Sequence, residues 1–171
     1  MNMGKFLGYP AIILVLLTTL ATAYLLFSDK GTAYSDIRVE NVTLRPPAPG
    51  QTTAAAYFDV VNDGGANELL SASTPISTKV ELHTHLHEDG MMKMRMVKSV
   101  KILPQQTTEF KRMGLHVMIF NVDLVEGTKQ VPITLTFARP PVHAEVQKDA
   151  EGKRVVVPKI YTITVLAQVE G

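Results

Sequence analysis

Not one of the 171 residues is cysteine, and that absence removes disulfides, thiolate zinc sites, thiol nucleophiles and acylation of a lipoprotein cysteine together. It also removes blue-copper electron transfer, which depends on a cysteine thiolate. Charge of one sign is equally scarce: 17 basic against 16 acidic residues leave a formal charge of +1, no basis for a nucleic-acid partner. Internal repeats and low-complexity tracts are missing, and so is any helical hydrophobic period after the N-terminal stretch. What is present is 46% hydrophobic and 19% charged residues, the composition of a folded domain with one core and appendages.

The first appendage concerns compartment. Phe6 to Phe27 is a run of 22 residues without a charge. As a helix with ~1.5 Å rise per residue it reaches ~33 Å, enough for a bilayer core of ~30 Å. Lys5 and the terminal amine precede it, and a positive flank stays cytoplasmic, which exports the chain from Ser28 onward. Ala21-Thr22-Ala23 resembles a signal-peptidase site, but Tyr24 to Phe27 continues the apolar run beyond it. Residues 1–27 are therefore expected to be a retained transmembrane anchor on the periplasmic side of an inner membrane. The alternative is a cleaved signal that frees a soluble periplasmic domain. Residues 28–36 turn small and polar and read as a linker.

From residue 37 the pattern is that of strands. Ile37–Leu44 and Ala54–Val61 flank a Pro-rich break, Arg45-Pro-Pro-Ala-Pro-Gly50, that no central strand tolerates. Lys79–Leu86, Met91–Val100, Thr108–Phe110, His116–Asp123 and Val131–Ala138 come next, separated by turn residues such as Glu88-Asp89-Gly90 and Glu126-Gly127. Seven or so short strands at this spacing predict an all-β Greek-key sandwich or barrel over residues 37–147. Residues 148–171 form a C-terminal extension, expected to add one strand, Ile160–Leu166.

Four metal-ligand side chains punctuate those strands: His83, Met94 after ten residues, His116 after twenty-one more, and Met118 across one. Thioether sulfur binds hard ions poorly and Cu(I) well, while imidazole suits several first-row metals. Two of each without a thiolate favour Cu(I), held rather than cycled. If His87-Glu88-Asp89-Gly90 is a four-residue hairpin loop, Leu86 faces Met91, His85 faces Met92 and His83 faces Met94. Period two then gathers His83, His85, Met92, Met94 and Met96 on one face, with Val80, Leu82 and Leu86 on the other. His116, Met118 and Phe120 share one side of the later strand.

These residues resemble the periplasmic copper chaperones of the PCu(A)C family, whose motif is His, ten residues, Met, twenty-one residues, His, one residue, Met. The flanks are similar too: Ala54-Ala-Ala-Tyr-Phe58, Val80-Glu-Leu-His83, Met92-Lys-Met-Arg95 and Gly114-Leu-His-Val-Met118. The resemblance, over about Ile37 to Ala138, implies a cupredoxin-like sandwich and a Cu(I) site made by His83, Met94, His116 and Met118. It further implies a chaperone, not an enzyme, that delivers Cu(I) to a cytochrome oxidase copper centre or a partner chaperone.

Several residues depart from the family pattern. His85 stands where the family commonly has a second methionine, Met96 where it often has proline, and Met113 where it often has a small residue. His83-Thr-His85-Leu-His87 could also recruit Cu(II) or zinc through imidazole alone. His87 is expected to be a tolerated exposed residue and Met91 and Met96 flexible core filling; Met92 and Met113 fit either filling or extra thioethers. Two other functions compete. A membrane-tethered structural or assembly module with incidental metal would bind its partner without the four ligands. A metallohydrolase would need a carboxylate base, and no role is assigned to Glu81, Glu88 or Asp89.

Overall fold

Alternating side chains interrupted by proline, glycine, asparagine and aspartate leave this chain little to build except strands. The computed structural model describes residues 36–88, 90–140, 146–148, 154–156 and 158–171, and none of these is helical. The segment read as an anchor lies outside the described residues. Within them no helix is long and apolar enough to cross a membrane.

The strands are β1 (Ile37–Arg45), β2 (Ala54–Asn62), β3 (Asn67–Ser73), β4 (Lys79–Glu88), β5 (Met91–Val97) and β6 (Val100–Ile102), then β7 (Gln106–Phe110), β8 (His116–Phe120), β9 (Gln130–Arg139), β10 (Val146–Lys148), β11 (Arg154–Val156) and β12 (Lys159–Val169). Ten of them form one sheet, nine along the path β5-β4-β8-β2-β1-β12-β9-β3-β6 and the tenth, β7, also on β2; β10 and β11 pair separately. Strand β2 is the pivot. Its first half carries β8 (Ala54↔Ile119, Ala56↔Val117), its second half β7 (Phe58↔Phe110, Asn62↔Gln106), and its other edge β1. Between Glu40 and Thr43 the β1 register slips, with Asn41 at φ 53° and its amide donating to Asp59 over 2.7 Å. A bulge of this kind bends and twists a strand locally.

Leu82, Val117 and Ile119 from one end of the path share a buried cluster with Leu69 and Ile102 from the other, so the sheet curls over itself as a sandwich. Phe58 stacks on Phe110 inside it, ring centroids 4.4 Å apart. The alternation of β2 and β9, buried at every second residue, shows why the pattern was readable.

Strand β12 covers the extended segment Ile160–Leu166 of the C-terminal extension and lies inside the sheet, between β9 and β1. It pairs with β9 from Lys159↔Arg139 to Gln168↔Gln130 and with β1 in parallel at Thr43↔Gln168 and Leu44↔Val169. Its inward residues Tyr161, Ile163 and Val165 pack on the core, Ala167 is fully buried, and the Tyr161 hydroxyl donates to the buried Asn67 side chain over 2.7 Å. The β4–β5 hairpin differs from the sequence-based expectation. Strand β4 continues to Glu88, which pairs with Met91, so only Asp89 and Gly90 separate the strands. Asp-Gly suits such a tight connection because it needs positive φ, and Gly90 stands at φ 76°. Every partner therefore moves by two: His83↔Met96, His85↔Met94 and His87↔Met92. A two-residue shift keeps each side chain on its expected face.

A Cβ on Gly90 would meet nothing within 4 Å, so the cost of G90A is conformational alone. It should destabilise the domain by about 1 kcal/mol in a denaturant titration, the order expected for a left-handed L-residue.

Candidate metal centre

The site is built on three adjacent strands. Strand β8 pairs with β4 (Glu81↔Met118, His83↔His116) and with β2 (Ala55↔Met118), while β5 lies on the far edge of β4. With Leu82, Val117 and Ile119 committed to the core, period two turns Glu81, His83, His85, Met94, His116 and Met118 to the opposite face. The β1–β2 loop supplies one wall there. Arg45, Pro46, Ala48 and Gln51, with Tyr57 of β2, enclose a cavity of about 380 Å³ whose remaining lining includes His85, Met94, His116 and Met118.

His116 is the best-fixed donor, 3% exposed. Its Nδ1–H donates to the Gly114 carbonyl over 2.9 Å, which leaves Nε2 with a free lone pair. Burial pushes its pKa below the usual histidine range, against the Gly114 hydrogen bond, which raises it; His85 and His83 add to the lowering. The imidazole is thus neutral near pH 7, the state a metal requires. His85 lies alongside, ring centroids 5.1 Å apart and planes 30° from parallel, with a long 3.5 Å contact from Nδ1 to the same carbonyl.

His83 is placed differently. Its ring is 5.9 Å from that of His116 and 6.1 Å from Phe120, and it does not line the cavity. Its Nε2–H donates to the Glu81 carboxylate over 2.8 Å, and Nδ1 is buried with no hydrogen-bond partner. The hydrogen bond from His83 holds the Glu81 carboxyl below the usual carboxylate range, with burial opposing and Lys79, 3.5 Å away, assisting. A carboxylate on one ring nitrogen is the usual companion of a metal on the other. An orphaned buried nitrogen costs about 1–3 kcal/mol unless something binds it. The donor set therefore fits a soft ion.

Of the four residues expected to form the site, the structure brings Met94, His116 and Met118 to one cavity and sets His83 beside it; His85 occupies the wall opposite Met94. Among the described residues no three His, Cys, Asp or Glu side chains are placed to hold one ion, so thioether sulfur is needed to complete any shell. Met91 and Met96 are not core filling. At 59% and 58% exposed they sit on β5, which ends the path and, among the described residues, has no neighbour on its outer edge. Tyr57 and Arg45 were not singled out from sequence, and Glu81 was named there without a role. For Glu81 a signal existed, since a residue two before a strand histidine shares its face.

The model of the LpqE-like lipoprotein family matches residues 37–150. No curated protein matches. Among solved structures, the copper-bound PCuAC domain from PmoF2 is 19% identical, covers 80% of this chain and 97% of its own, and superposes with a TM-score of 0.54. The Cu(I) form of DR1885 from Deinococcus radiodurans is 24% identical over 86% of this chain and 85% of its own, with a TM-score of 0.51. The apo PCuAC domain from PmoF1 is 17% identical over 80% and 98%, with a TM-score of 0.53. At these identities the likeness is one of fold. This sequence offers no cysteine for the lipid attachment that the family description names. With more than half of its length matched, the chain belongs to the LpqE-like family and carries the all-β fold of PCuAC domains.

Proposed function

We propose that the domain is an extracytoplasmic Cu(I) metallochaperone. The observation that carries it is the convergence of two thioethers and two imidazoles from three strands on one loop-covered cavity. That set suits Cu(I) and suits zinc or Cu(II) poorly. The copper named for the PmoF2 domain and the Cu(I) named for DR1885 support the same ion. The lipoprotein family supports a location outside the cytoplasm, and the uncharged run behind Lys5 supports a tether that needs no lipid.

Met94, His116 and Met118 are the constant ligands in this proposal. The fourth position is contested by two imidazoles of β4: His85, already on the cavity wall, and His83, whose Nδ1 is free while Glu81 holds its other nitrogen. Exposure sets an order of release. Met94, 42% exposed on the outermost strand, lets go first, and the buried His116 last. A recipient with stronger ligands, such as a thiolate-bearing copper centre of a cytochrome oxidase or a partner chaperone, can replace them one at a time. No turnover chemistry is needed.

The function is tested by loading the full chain under reducing conditions and mixing it with a metal-free copper-accepting domain. One tightly held Cu(I) should bind and then move to the acceptor. Absence of Cu(I) binding, or partner binding unaffected by loss of Met94, His116 and Met118, would overturn the proposal. A positioning role for Glu81 has its own signature. In an H85A background, where His83 alone serves the fourth position, Glu81→Gln should weaken Cu(I) about tenfold, as such orienting partners do. In the native chain chelator competition should record less than about a twofold change, because His85 substitutes.

A further inference from the structure

The β4–β5 register places an imidazole directly opposite a thioether three times in succession on one face: His83↔Met96, His85↔Met94 and His87↔Met92. Alternate residues of a strand are ~6.8 Å apart, and directly opposed side chains start from Cβ atoms ~4.5–5.5 Å apart. The face is thus a ladder of His–Met rungs running from the hairpin tip to His116. The middle rung belongs to the cavity. The lowest is altered, because His83 Nε2 is taken by Glu81. The outer rung is free of both, and its two side chains already meet: His87 Nδ1 lies 3.4 Å from Met92 Sδ.

We propose that His87 and Met92 form a second Cu(I) site, distinct from the cavity and one rung outside it. The proposal rests on the copper function above and extends it. Imidazole nitrogen and thioether sulfur are the donors that Cu(I) accepts at low coordination number, and among the described residues neither has another protein partner that competes for the metal. Both residues are exposed, Met92 by 45%, at the end of the hairpin where an incoming or outgoing carrier has access. The tip is also braced from the other face: Arg95 and Lys93 reach the Glu88 carboxylate at 3.1 and 3.4 Å. An ion on the outer rung can pass to His85 and Met94 by exchanging one ligand at a time, with Cu(I) remaining Cu(I) throughout.

The test is a Cu(I) titration of the full chain under reductant, against a chromophoric chelator, with 13C-labelled methionine methyls followed by NMR. The native chain should take up two equivalents, the second at least about 100-fold weaker because it has two ligands instead of four. The Met94 and Met118 methyls should move with the first equivalent and the Met92 methyl with the second. The pair His87→Ala and Met92→Leu, exposed positions whose replacement leaves the core untouched, should abolish the second equivalent and change the first by less than about twofold. Uptake of one equivalent with the Met92 methyl unmoved overturns the outer site and leaves the cavity function standing. Movement of Met92 with Met94 and Met118 unmoved does the reverse. Failure to bind any Cu(I) overturns both.

Discussion

Replacing Met94 and Met118 together by leucine should lower Cu(I) affinity of the cavity site by about 1,000-fold or more, roughly 4 kcal/mol, while the domain stays folded. Orienting partners outside a metal's own shell are commonly worth 10- to 100-fold, so two of the ligands themselves are worth more. Leucine matches methionine in volume and costs less than about 1.5 kcal/mol even where packed. Met94 is largely exposed and Met118 sits beside Ala55 and Glu81, so neither change opens the core. Chelator competition reports the affinity and thermal unfolding of the metal-free protein reports the fold. An affinity within about threefold of the native value would mean that sulfur does not hold the ion.

The two β4 imidazoles should behave as alternates. His83→Ala or His85→Ala alone should cost about tenfold or less, because the remaining ring can fill the fourth position. The double replacement should cost about 100-fold or more. Such non-additivity is what a double-mutant cycle isolates when two residues serve one place. The geometry behind it is the flanking of His116 by both rings, at 5.1 Å for His85 and 5.9 Å for His83. If H85A alone removes binding, His83 is not a ligand; if H83A alone does so, the cavity wall is not where the fourth donor comes from.

Much of this arrangement was legible because face is a local property and partnership is not. Period two placed His83, His85 and Met94 on the side opposite Leu82, and that assignment survives a register shift of two residues. Which residue meets which depended on loop length. His87-Glu88-Asp89-Gly90 contains an Asp-Gly step that also supports a two-residue turn, and the shorter turn extends the pairing to Glu88↔Met91. With that register the His–Met rungs number three instead of two, and His87 gains Met92 as its partner. The interior place of β12 was out of reach for a different reason. Its parallel pairing with β1 joins Thr43 to Gln168, and no local pattern signals a contact between residues so far apart in sequence. Glu81 and the unpartnered Nδ1 of His83 likewise became meaningful only when side-chain hydrogen bonds could be followed.

The exposed methionines of β5 gain a physical reason as well. An edge strand with Met92, Met94 and Met96 along one face is a poor place for core filling and a good one for ligands that must be reached by another protein. Charge on its other face, from Lys93 and Arg95 against Glu88, keeps that edge soluble.

X-ray absorption on the full chain loaded with one equivalent of Cu(I) tests the central claim most directly, since the edge reports oxidation state and the fine structure separates sulfur from nitrogen. The spectrum should show reduced copper with both sulfur and nitrogen scatterers, and one sulfur should disappear in each of M94L and M118L. A shell of nitrogen alone, unchanged in those variants, would contradict it and move the metal to the imidazoles of β4.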